Sequence, residues 1–173
     1  KERLTICCIC QNIGNSREHI VKASIFRRHF PDVSQKKPAY KNNDKTKNIQ
    51  INTSKSKELT FNSLICMKCN NALSQPYDNA WDIFDEYIHK NIVSIEKKRS
   101  IDLKEVFPNN PKQMGIYLQL YLVKLTGFML NDELLDRNLT DSLAKSLREM
   151  TPRKDLLIEF SYRDHEDKLT ISK

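Results

Sequence analysis

Two Cys-x-x-Cys pairs, Cys7 with Cys10 and Cys66 with Cys69, are the residues of this chain whose type and spacing point most directly to chemistry. Four thiolates so arranged can close a tetrahedral site around Zn2+, the arrangement of structural zinc. Fifty-five residues separate the two pairs, and the entropy of closing a loop rises only slowly with its length. Cys8 is left over and suits a small buried side chain. A redox dithiol needs a single pair in a β-α-β setting, which is lacking here. A disulfide framework belongs to secreted chains, and no signal-peptide pattern opens this one. The compartment expected is cytoplasmic, intracellular and reducing. The chain starts at Lys1, as a fragment or a processed chain would.

Charge is spread unevenly around these cysteines. The formal net charge is +7, from 29 Lys and Arg against 22 Asp and Glu. Residues 1–60 hold 13 basic and 5 acidic side chains, and residues 61–173 hold 16 and 17. The positive excess therefore accompanies the first cysteine pair, as a phosphate-binding surface requires. Lys22, Arg27 and Arg28 are the candidate nucleic-acid contacts, since a guanidinium reaches phosphate oxygens bidentately. The bland alternative is a solvated lysine-rich face.

The elements that must position these groups are legible in outline. Residues 35–61, rich in Lys, Asn, Ser and Thr, read as an exposed basic insertion, with "NIQIN" and "ELTF" as short pieces able to pair as strands. A helix is expected after Pro76, with Tyr77, Trp81, Phe84 and Ile88 on a core face. Residues 112–130 form a strongly apolar helix, its segment 114–130 broken by Gln119 and Lys124, that must be buried in the core or against a second copy. A homodimer through the C-terminal helices is the second of these outcomes. Residues 132–149 carry Leu135, Leu139, Leu143 and Leu147 at intervals of four and read as an amphipathic helix. "DLLIEFSYR" (155–163) and "KLTIS" (168–172) read as two C-terminal strands. No stretch approaches the roughly 18 apolar residues of a membrane span.

Read through, the chain gives Cys-x-x-Cys, then Glu18-His19-Ile20, then Asn62, then Cys-x-x-Cys-Asn70. This order resembles the HNH endonucleases, whose ββα-metal core is commonly clamped by two zinc knuckles, and the resemblance covers residues 5–85. It implies metal-dependent hydrolysis of phosphodiester bonds, with DNA expected before RNA because most of the family cuts DNA. A role in restriction or defence would follow from the family alone. By the resemblance His19 is the general base, a task suited to a side chain whose free pKa is near 6.5. Glu18, Asn70 and Asp78 would hold a catalytic Mg2+ or Mn2+ through oxygen, and Asn62 would fix the His19 ring.

The expected fold is therefore α+β: an HNH core clamped by a four-cysteine zinc site over residues 1–92, followed over residues 93–173 by a helical unit with two terminal strands and no assigned role. A second reading, from another class, keeps the cysteines and the basic half as a non-catalytic zinc module that binds nucleic acid or protein. A third makes the chain an oligomerising helical domain with a zinc-stabilised adaptor.

Overall fold

The structure, a computed structural model, describes residues 5–42 and 46–156. In chain order its elements are strand β1 (Ser16–His19), helix α1 (Ala23–His29), strands β2 (Ala39–Lys41), β3 (Ile49–Ile51) and β4 (Thr60–Ile65), and helices α2 (Gln75–Lys98), α3 (Leu103–Val106), α4 (Pro111–Asp132) and α5 (Arg137–Glu149). The fold is α+β, and among the described residues no helix is long and apolar enough to cross a membrane. The expected strands 155–163 and 168–172 lie outside the described residues, save for 155 and 156. Two compact units share the described residues: unit 1 is 5–18 with 61–156, and unit 2 is 19–42 with 46–60.

Unit 1 is built on α4, an apolar helix that leaves little of itself to water. Asn110 starts it, its side chain accepting from the Gln113 N–H, and Pro111 occupies a first-turn position where no N–H is needed. α4 packs against α2, α3 and α5. Phe84 and Ala80 of α2 form one core cluster with Val106, Phe107 and Leu118, and Trp81 stacks on Tyr121 at 4.8 Å between ring centres. Phe61 of β4 stacks on Phe128 of α4 at 5.4 Å. Tyr77, fully buried, donates its hydroxyl to the Leu147 carbonyl of α5 at 2.8 Å.

The expected helix over 132–149 begins late. The chain turns at Leu134, in the left-handed region at φ 53°, and Asp136 caps α5 by accepting from the Leu139 N–H. Leu143 and Leu147 are buried, whereas Leu135 and Leu139 are exposed. Leu135 precedes α5, and since steps of four residues overshoot the 3.6-residue turn by about 40° each, Leu139 falls off the face that Leu143 and Leu147 bury.

The first cysteine pair sits in a tight loop. Cys7 N–H donates to Asn12 O and Gln11 N–H to Cys7 O, with Gln11 at φ 65°. Gly14 follows where the backbone passes against β4, and a Cβ there would lie 2.3 Å from Leu64 Cβ. β1 and β4 pair antiparallel, from Asn15 N–H to Ile65 O at one end to Ile20 N–H to Leu59 O at the other.

Unit 2 has its own small core of Phe26, Ile51 and Leu59, with Val21, Phe30, Val33 and Ala39 packed against it. β3 does not pair with "ELTF". It pairs antiparallel with β2, Ala39 opposite Ile51 and Lys41 opposite Ile49. Lys57–Leu59 instead form a helical turn capped by Ser56, and the chain then enters β4. The short return from β2 is the nearer partner along the chain, and it turns Ile51 into the core.

Candidate metal centre and acid pair

Cys7, Cys10, Cys66 and Cys69 come together in unit 1, with all four sulfurs within 4.8 Å of one another. Zinc–sulfur bonds near 2.3 Å in a tetrahedron set sulfurs roughly 3.8 Å apart, and Cys10 Sγ lies 3.6 Å from Cys66 Sγ. Two pieces of backbone make this meeting. The first loop is held by a parallel bridge between Cys7 and Leu64, with Cys8 N–H donating to Leu64 O. The second pair closes on itself at the end of β4, where the Cys69 N–H points at Cys66 Sγ. Burial pushes the Cys7 and Cys69 thiols up. Burial also acts against ionisation of Cys66, but hydrogen bonds from the Cys69 backbone and the neighbouring thiols outweigh it and bring this thiol down to about 7. The group could hold a structural metal such as zinc. Cys8 stays outside it, half-buried, with its thiol pushed far up by burial and by the neighbouring Cys7 charge.

After Cys66 the chain turns directly into a helix that widens by one residue, the Ser74 N–H reaching back five positions to Cys69 O. Asn70, Ser74 and Asp78 then follow one another at intervals of four. Asn70 Nδ2 reaches Ser16 Oγ on β1 at 3.4 Å. Ser74 Oγ, fully buried, lies 2.9 Å from the Asn70 carbonyl and 3.1 Å from Asp78 Oδ2, with one hydroxyl proton to share between them. Glu18, two residues beyond Ser16 on the same face of β1, is also buried. Glu18, Asn70 and Asp78 thus belong to one polar array within unit 1.

A cation already occupies that array. Lys124 of α4, with no exposed surface, places Nζ 2.7 Å from Asp78 Oδ1 and 3.3 Å from Glu18 Oε1. The same ammonium lies 5.2 Å from the centre of the Tyr121 ring. Burial, and then the Glu18 and Asp78 charges, push the Tyr121 hydroxyl well above its ordinary range. Oxygen donors suit a hard divalent ion, but here two of them hold an ammonium and Asp78 has both oxygens engaged.

The far end of α4 reaches β4. Asp132 accepts from the backbone N–H groups of Asn62 and Ser63 at 2.7 and 2.6 Å, and from the Ser63 hydroxyl, while Asn131 Nδ2 donates to Ser63 Oγ at 2.7 Å. Asn62 itself is exposed.

The remaining site residues belong to unit 2. His19 follows Glu18 in β1 and is half-buried. Lys22 immediately precedes α1, whose last turn carries Arg27, exposed and donating to Ser54 Oγ at 3.3 Å, and Arg28, half-buried. Residues 19–60 hold ten basic and three acidic side chains.

Lys124 and Asp132 have no counterpart in the motif. Lys124 did leave a signal, because it is the single charged residue in 114–130, and a lone charge in a buried helix calls for a partner. Comparison with protein-family models, with curated proteins and with solved structures finds no match for this chain.

Proposed function

We propose that this chain is an HNH-type endonuclease that hydrolyses phosphodiester bonds in nucleic acid, DNA before RNA, on a core clamped by Zn2+ in the four-cysteine group. What supports the reading is the convergence in unit 1. Thiolate-type ligands gather where β4 meets the helix start, and Glu18, Asn70 and Asp78, drawn from two distant segments, share one polar array. Glu18 and Asn70, with Asp78, would hold the Mg2+ or Mn2+, whose chemistry is to offset charge growing on the phosphate and the leaving oxygen. His19 takes a proton from the attacking water at a ring nitrogen. Lys22, Arg27 and Arg28 hold the phosphates, as the positive balance of residues 19–60 favours.

A second reading, a zinc module that binds nucleic acid without cutting, draws on one observation: the Lys124 ammonium stands where the ion would be held. An end-labelled DNA duplex and its single strand, incubated with zinc-loaded protein and Mn2+, separate the two. The nuclease reading expects products with extendable 3′-hydroxyl ends, absent for His19→Ala. A shifted band that never yields product hands the chain to the second reading.

A further inference from the structure

Burying a lysine is costly unless its charge is matched closely, and Lys124 is matched twice. Its ammonium touches one oxygen each of Glu18 and Asp78, and the other Asp78 oxygen is held by Ser74. Asp78 therefore cannot swing to a new partner without giving up that bond. A divalent ion bonded to the same two oxygens would sit about 2.0–2.6 Å from each, overlapping the ammonium at 2.7 and 3.3 Å. The charges agree with an exclusive choice. Two cations of like charge cannot share that one position, because their repulsion across so short a distance adds to the overlap.

We propose that Lys124 is the resident cation of the Glu18–Asp78 pair and competes with a divalent ion for that one position, so that α4 sets whether the site can be loaded. The proposal rests on the nuclease reading for what the ion would do there, and on the ion pair alone for the competition. Lys124 is a positioning residue in this scheme: it has no surface with which to touch a substrate.

The test is a titration of the full zinc-loaded chain with Mn2+, following free Mn2+ by electron paramagnetic resonance. Wild type is expected to show no site tighter than about 1 mM. Lys124→Met should gain one site at least about tenfold tighter, and adding Glu18→Gln should remove it. Where Lys124→Met folds poorly, Mn2+ should raise its melting temperature by mass action, and the triple variant Lys124→Met, Glu18→Gln, Asp78→Asn controls for folding. A wild-type Mn2+ site that depends on Glu18 and matches the variant's in affinity overturns the proposal. So does a Lys124→Met protein that neither binds Mn2+ nor is stabilised by it. Cleavage is not read, so an inactive nuclease leaves the competition standing, and a failed competition leaves the nuclease to be judged on its products.

Discussion

Lys124→Met keeps most of the side-chain volume and removes only the charge, which makes it a direct probe of the buried pair. With side-chain exposures of 0% for Lys124, 8% for Glu18 and 17% for Asp78, almost none of the lost interaction is replaced by solvent. Removing one partner of such a group costs about 3–5 kcal/mol, because the carboxylates stay buried and uncompensated. For a chain of this size that corresponds to a fall in Tm of roughly 6–20 °C. Lys90 offers an internal control. It pairs with Glu86 on the surface of α2, with side chains 67% and 53% exposed, and Lys90→Met should cost about 0.5 kcal/mol or less. The neutral triple variant should regain much of the Lys124→Met loss, since no unmatched charge remains. The assay is urea and thermal unfolding of zinc-loaded proteins in buffer without added Mg2+ or Mn2+. A Lys124→Met variant within about 1 kcal/mol of wild type would refute the reasoning, because a buried, doubly matched ammonium cannot be deleted so cheaply.

Three further outcomes follow from the same geometry. Asp132→Ala strips partners from the Asn62 and Ser63 N–H groups and the Ser63 hydroxyl, and should cost at least about 3 kcal/mol in urea unfolding, since hydrogen bonds to a charged group contribute about 1.5–3 kcal/mol each and water can replace the one to exposed Asn62; a loss below about 1 kcal/mol would contradict the clamp. Gly14→Ala forces a Cβ to within 2.3 Å of Leu64 Cβ, and should lower both Tm and zinc content, with a stability cost of about 1–3 kcal/mol; full zinc occupancy at unchanged Tm would show the contact to be slack. Zinc retention should fall on acidification, because burial keeps Cys7 and Cys69 protonated in the metal-free chain and Cys66 takes up its proton below about 7. Each of these protons must leave before zinc binds, so affinity rises with pH; equal release to a colorimetric chelator at pH 6 and pH 8 would contradict thiolate ligation.

How much of this was readable in advance depends on the range of the interaction. The cysteine grouping was legible because spacing in a short knuckle dictates geometry: Cys66 and Cys69 face one point whatever surrounds them. The α2 and α4 helices were legible from periodicity and apolar run length, with Pro76 marking the start of the first. The pairing of β3 was not, because Ile49–Ile51 has the same alternation for any partner strand, and only the packing of Ile51 beside Phe26 and Leu59 chooses one. Lys124 shows the same limit at the site. Its isolation in an apolar helix said that it needed a partner, but the partners lie 106 and 46 residues away, on β1 and α2. Residues 93–173 carried no assigned role for that reason. They contribute nothing to the motif, yet α4 holds Glu18 and Asp78 at one point and β4 at another.

The most direct test is nicking of supercoiled plasmid by the zinc-loaded protein in Mn2+ well above about 1 mM, with wild type beside His19→Ala and zinc measured on both. Wild type should nick only when the divalent ion is present, and His19→Ala should lose this at unchanged zinc content. Equal nicking by the two proteins, or none by a wild type that binds the plasmid, would contradict the nuclease reading.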